Sequence, residues 1–158
     1  MIKIKAGVIA RHQGRVLLIR ELNRCTGRYK WNMIKGTFEP AKDASILDRA
    51  IREAWEEAGA RIKLKYFLSA YYLRDGRDAL MTFVFVADLV NKNFGVLPKT
   101  VQAKYGEDTV IKVKLFTKKE LLQLKPPDFI GQRGYLAVRE YLTGTKYPLR
   151  IVQTLPPQ

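Results

Sequence analysis

Two short apolar runs, Ala6–Ala10 and Val16–Ile19, are separated by Arg11-His12-Gln13-Gly14-Arg15. This pattern predicts a β-hairpin in which Gly14 supplies the positive φ of a tight turn. Ahead of it, Met1-Ile2-Lys3-Ile4-Lys5 alternates as a strand does. Residues 20–30 are polar and basic, with Gly27 among them, and read as a loop. Gly36 to Asp43 reads as irregular, since Pro40 breaks any helix. Ser45 to Ala58 is the clearest helix: Ser45 and Asp48 make a capping pattern, and Gly59 stands at the αL stop. Leu47, Ala50, Ile51, Ala54 and Ala58 recur at helical spacing and predict one buried stripe.

Tyr66–Leu73 and Leu80–Leu89 read as strands around Arg74-Asp75-Gly76-Arg77, where Asp75-Gly76 is a hairpin signal. Residues 91–108 read as a loop and Thr109–Phe116 as a further strand. Thr117 and Glu120 cap a short helix, Lys118–Leu124, which Pro126-Pro127 end. Ile130–Leu142 is the last helix, and Pro148–Gln158 a tail. Mixed strands and helices in this order predict an α/β fold of the mixed α+β kind, with helices covering a curved sheet. One domain over residues 1–145 is expected, followed by a tail over 146–158. The chain lacks a Gly-x-Gly-x-x-Gly or Walker loop, which argues against Rossmann and P-loop enzymes.

Composition narrows the partner. With 47% hydrophobic and 28% charged residues, the chain is neither disordered nor collagen-like. Its 29 basic and 15 acidic side chains leave a net charge of +14, which favours an anionic partner: nucleic acid, a phosphorylated small molecule or an acidic surface. Residues 1–35 hold nine basic side chains and one acid, Glu21. No apolar run approaches the ~18 residues that span a bilayer, so no membrane partner is expected. Cys25 and His12 are each the only one of their kind, so neither a disulfide nor a Cys-based zinc site is expected. A reducing, cytoplasmic setting fits.

The chemistry concentrates on the helix, in Arg52-Glu53-Ala54-Trp55-Glu56-Glu57-Ala58-Gly59. Glu53, Glu56 and Glu57 fall within an arc of roughly 100°, expected to lie opposite the Leu47/Ile51/Ala54 stripe. Carboxylates at these spacings repel by a few tenths of a kcal/mol per pair. Two arrangements offset that repulsion. One is a solvated face paired with Arg49, Arg52 and lysines; the other is a site for a hard divalent cation such as Mg²⁺.

Lys35-Gly36-x-x-Glu39-Pro40 lies just upstream, and together with Arg52, Glu53, Glu56, Glu57 and Gly59 it resembles the Nudix hydrolase signature. Two departures stand out. The family's loop glutamate, eight residues before the arginine, falls on Ala44, with Asp43 adjacent; the family's glycine would fall on Phe38 rather than Gly36. A two-residue insertion reconciles the glycine. The resemblance implies a Nudix-like α/β/α sandwich with a curved mixed sheet, and hydrolysis of a pyrophosphate bond in a nucleoside diphosphate-linked or other highly phosphorylated small molecule.

By the same resemblance, Glu56 and Glu57 are the principal Mg²⁺ ligands, with Mn²⁺ able to substitute. Glu53 is a further ligand or the base, Arg52 orients the glutamates, and the Gly36 carbonyl is a backbone ligand. Glu107 and Asp108 are candidates for an additional acid. Arg20, Arg24, Arg28 and Lys35 are candidate substrate-binding residues, from the basic charge that borders the box. The signature is similar to that of the branch cleaving dinucleoside polyphosphates and diphosphoinositol polyphosphates. An enzyme on RNA 5′ ends and a non-catalytic Nudix-derived binding module are the alternatives. A monomer and a homodimer are both compatible with the sequence.

Overall fold

The computed structural model describes residues 1–94 and 110–155. β1 (Ile2–His12) and β2 (Arg15–Asn23) form the expected hairpin, with Gln13 at φ 48° and Gly14 at φ 73°. Two consecutive left-handed residues give a turn whose twist matches that of the strands it joins.

Residues 20–30, expected as a loop, form one only at the turn over 24–27, with Gly27 at φ 64°; the rest is the end of β2 and the start of β3 (Arg28–Asn32), in register from Ile19↔Asn32 to Asn23↔Arg28. The polar run hid the strand because little of this hairpin enters the core. The stretch beginning at Gly36, expected to be irregular, starts within β4 (Ile34–Thr37).

β1 changes partner along its length. Ala10–His12 pair with β2, whereas Lys5–Val8 pair antiparallel with β4. The sheet therefore divides: β3 stays with β2, β4 stays with β1, and the chain crosses between them at Met33. On its other side β1 runs parallel to β6 (Asp78–Leu89), from Ile2↔Ala79 to Arg11↔Asp88. β5 (Ile62–Asp75) pairs antiparallel with β6 across a turn at Gly76, φ 57°. It begins at Ile62 rather than Tyr66, since register shifts at Leu64/Tyr66 and Phe67/Ser69 break the alternation a sequence reader follows. β7 (Val110–Phe116) pairs with β2.

Two cores flank this mixed sheet. Ala6, Val8, Ala10, Ile34 and Phe85 pack with Ala50, Ala54 and Ala58 of α1 (Ile46–Ala58). Ile9, Met33, Val84, Val86 and Phe116 pack on the opposite face. There they meet Leu121 of α2 (Lys118–Gln123) and Ala137 and Val138 of α3 (Gln132–Thr143). Each fully buried Val, Leu, Ile or Phe contributes about 1.5–3 kcal/mol. The result is the expected sandwich of helix, mixed sheet and helix.

α2 carries a full capping box: Thr117 Oγ1 accepts from Glu120 N–H at 3.3 Å, and Glu120 Oε2 accepts from Thr117 N–H at 2.8 Å. After α3, Tyr147 exchanges two backbone hydrogen bonds of 3.0 Å with Phe67, and Leu149 and Val152 lie on the α1-side core. Among the described residues no helix is long and apolar enough to cross a membrane.

Candidate active site

Ser45 caps α1, its Oγ accepting from Asp48 N–H at 3.1 Å, and Gly59 ends it at φ 58°. The helix is turned relative to the expected stripe. Ala50, Ala54 and Ala58 face the sheet as predicted, but Ile51 is 43% exposed. Glu53, expected on the opposite face, is 5% exposed and points inward with Arg49. Small alanines let the helix lie close to β1 and β4, and the inward arc then includes the carboxylates that border the end of β4.

That close approach needs Gly36. A Cβ there would collide with the Arg49 guanidinium and the Glu53 carboxylate. One residue earlier, Lys35 N–H donates to Glu57 Oε2 at 3.0 Å, tying helix to strand. Glu57 is half-buried, and its carboxyl is held well above the usual range by burial and then by Glu53, with Lys35 opposing. Glu53 is raised chiefly by burial; Arg49 pulls against it and Glu56 adds to it.

Arg52 is the hub on the outer side. It donates to Glu56 Oε1 at 2.8 Å, and to Asp43 Oδ1 and Oδ2 at 2.8 and 2.9 Å. Asp43 Oδ2 also accepts from Glu39 N–H at 2.8 Å, closing the Glu39–Asp43 loop onto the helix. Burial would raise the Asp43 carboxyl, but the Arg52 and Glu39 hydrogen bonds outweigh it and hold it below its usual value. The anchoring that the absent loop glutamate left open is thus made by Asp43.

On the α3 side of the sheet, cations gather beside the same carboxylates. Lys5 of β1 is in register with Thr82 of β6 and Thr37 of β4, and Gly7 with Lys35. Paired residues share a face, so Lys5 and Lys35 project to one side of the sheet. Arg133, in the first turn of α3, donates to Thr82 Oγ1 at 2.8 Å. Lys5 is lowered by burial, then by Lys35 and Arg133, and Arg133 is lowered by burial. Among the described residues neither Lys5 nor Arg133 forms an ion pair. Lys35 Nζ lies 3.3 Å from Glu21 Oε1, which also accepts from Asn32 Nδ2 at 2.6 Å. Lys5, Lys35 and Arg133 therefore form a cationic wall, with Lys5 and Lys35 within electrostatic reach of Glu57.

The other sequence candidates fall as follows. Arg20 stacks over Trp31, its guanidinium carbon 5.6 Å from the ring centroid. Arg24 and Arg28 are exposed at the tip of the β2–β3 hairpin. Glu107 and Asp108 lie outside the described residues. Sequence reading missed Lys5, Arg133 and Glu21 as parts of this cleft, and Arg49 as a buried one. Glu21 alone carried a signal, as the single acid in a basic stretch.

A hard divalent cation suits the donor set, which is all oxygen: Glu53, Glu56, Glu57 and the Gly36 carbonyl. Glu53 Oε2 and Glu56 Oε2 are buried without hydrogen-bond partners, as acceptors awaiting a cation would be. Among the described residues the carboxylates are not gathered about one point, and the Arg49 guanidinium stands among them.

The NUDIX domain family model matches residues 2–137. No match was found among curated proteins. A NUDIX hydrolase from Nitrosomonas europaea superposes with TM-score 0.76 at 20% identity, covering 97% of both chains. A MutT NUDIX hydrolase from Burkholderia pseudomallei gives 0.63 at 19% identity, over 89% of this chain and 98% of that one. The NUDIX domain of Shewanella oneidensis NrtR, complexed with ADP ribose, gives 0.63 at 16% identity, over 91% and 87%.

Proposed function

Since the chain belongs to the NUDIX family of hydrolases, we propose that it cleaves a pyrophosphate bond with the help of a divalent cation. The substrate in this reading is a nucleoside diphosphate-linked or other highly phosphorylated small molecule. One observation carries it: Lys5, Lys35 and Arg133 converge beside Glu53 and Glu57. Partly desolvated cations beside these carboxylates, two of them, Lys5 and Arg133, in no ion pair among the described residues, suit a ligand that is itself anionic and bridged to metal. The relative crystallised with ADP ribose supports the same substrate class.

Mg²⁺, or Mn²⁺ in its place, would be held by Glu56, Glu57, Glu53 and the Gly36 carbonyl. When bound it supplies charge neutralisation and a more acidic water. The chain's residues do the remainder. Lys5, Lys35 and Arg133 bind the non-bridging phosphate oxygens and offset charge on the leaving phosphate. Glu53, the most enclosed of the three carboxylates, takes the proton as water oxygen bonds to phosphorus and the bridging P–O bond breaks. Arg52 fixes Glu56 through the 2.8 Å hydrogen bond and spans helix and loop.

The test is cleavage, followed by chromatography of the phosphorylated products, of a panel of nucleotide sugars, ADP-ribose, dinucleoside polyphosphates, diphosphoinositol polyphosphates and triphosphorylated RNA, with Mg²⁺ or Mn²⁺. Turnover of a small molecule, reduced about 10²-fold or more by E53Q, is expected. K5M and R133M should raise KM about tenfold with a smaller effect on kcat. No turnover of any substrate would favour a binding module, and turnover of RNA alone an RNA 5′-end enzyme.

A further inference from the structure

Arg49 sits one helical turn before Glu53 with its side chain 4% exposed. Its Nη2 is in ion contact with Glu53, and its Nη1 lies 3.6 Å from both Glu39 Oε1 and Glu56 Oε2. A guanidinium has five N–H donors and is usually held by a fork of parallel hydrogen bonds. Here Nε and Nη1 are buried with no hydrogen-bond partner, and two of the three carboxylate oxygens around the group, Glu53 Oε2 and Glu56 Oε2, also lack one. Two of the guanidinium's three nitrogens are therefore held by charge rather than by directional bonds. The group also fills the small space over Gly36 that the absence of a Cβ leaves open.

A neighbouring residue shows what a bonded arginine looks like in the same protein. Arg52 reaches Asp43 and Glu56 with hydrogen bonds of 2.8–2.9 Å. Arg49 has carboxylates on several sides and lacks such a fork, which is the arrangement of a counter-ion.

We infer that Arg49 is a resident cation that competes with the divalent metal for Glu53 and Glu56. This rests on the metal reading above and deepens it. Without metal, the guanidinium offsets the repulsion among three carboxylates and lets α1 pack with them inward. Metal binding requires the guanidinium to give way, so the protein loads metal only at concentrations that overcome it. The metal threshold of the enzyme is therefore set by a residue that is not itself a ligand.

The test pairs calorimetric Mn²⁺ titration with thermal melts in EDTA, for wild type, R49M, R49Q and R49K. R49M and R49Q should bind Mn²⁺ at least tenfold more tightly than wild type and melt at a lower temperature in EDTA. Mn²⁺ should raise their melting temperature by more than it raises that of wild type. R49K, which keeps the charge, should stay close to wild type in affinity. Should R49M not fold in EDTA, Mn²⁺-dependent recovery of its circular dichroism, at lower concentration than wild type needs for binding, gives the same result. Equal or weaker Mn²⁺ affinity in folded R49M and R49Q overturns the inference while leaving the metal reading intact. If wild type and all variants fail to bind Mn²⁺, the metal reading falls and this inference with it.

Discussion

Asp43 holds Arg52 in a two-bond fork, 2.8 Å from Nε and 2.9 Å from Nη2, although the carboxylate expected in this loop belongs one residue later, where Ala44 stands. The Asp43 carboxylate is 1% exposed and the guanidinium 22%. Removing one partner of a buried pair costs about 3–5 kcal/mol, and partial exposure of Arg52 places D43N near the lower end. Urea unfolding checks it; a loss under about 1 kcal/mol would show that the loop is anchored by other contacts.

Glu57 accepts a backbone N–H that glutamine can also accept, and burial already disfavours its charge. E57Q should therefore leave the melting temperature in EDTA unchanged or higher, while Mn²⁺ affinity falls about tenfold or more. Calorimetry and thermal melts on one preparation separate the two effects. Unchanged affinity would remove Glu57 from the ligand set.

The basic hairpin tip offers a measure of substrate length. Arg24 lies three residues beyond Glu21 along the chain, about 10 Å at the rise of a strand. Loss of Arg24 and Arg28 should raise KM for long polyphosphates and leave that for a simple diphosphate linkage unchanged. The difference should shrink at high salt, since both side chains are exposed. A flat chain-length profile in R24A/R28A would return these residues to a role in solubility.

Glu120 supplies the pH prediction. Lys114, at 2.9 Å, and the Thr117 N–H and hydroxyl hold its carboxyl down at about 2, below the ordinary 4.5 of a free glutamate. A depressed folded-state value gives stability that is complete above 4.5 and lost as pH falls towards 2. E120Q should melt below wild type at pH 7, and the two curves should converge near pH 2. A constant gap across that range would rule out the charge as its source.

The box was legible because its chemistry lies on a single helix, whose limits Ser45 and Gly59 set by local backbone rules. Helix rotation was not legible. Ile51 is more hydrophobic than Ala50 or Glu53, and periodicity alone directs it inward; the close approach over Gly36 decides otherwise. β3 escaped notice although Arg28-Tyr29-Lys30-Trp31-Asn32 alternates polar and aromatic residues, because the basic run around Gly27 reads as a loop. Lys5 and Arg133 stand at opposite ends of the chain and meet only through the parallel register of β1 with β6. Asp43 was visible as a neighbouring acid, but its grip on Arg52 depends on how the loop folds back.

The parallel pairing of β1 with β6 has a consequence for how the protein comes into being. Residues such as Ile9 and Val86 are in register across most of half the chain, and β4, α1 and β5 lie between them in sequence. Closing such a long loop is slow compared with forming the β1–β2 turn. At about 5–20 residues per second of synthesis, the first hairpin waits seconds for the strand that completes its other edge. Lys5 takes its place beside Thr82 and Arg133 only after that, so on the ribosome the acidic helix can exist before the cationic wall beside it.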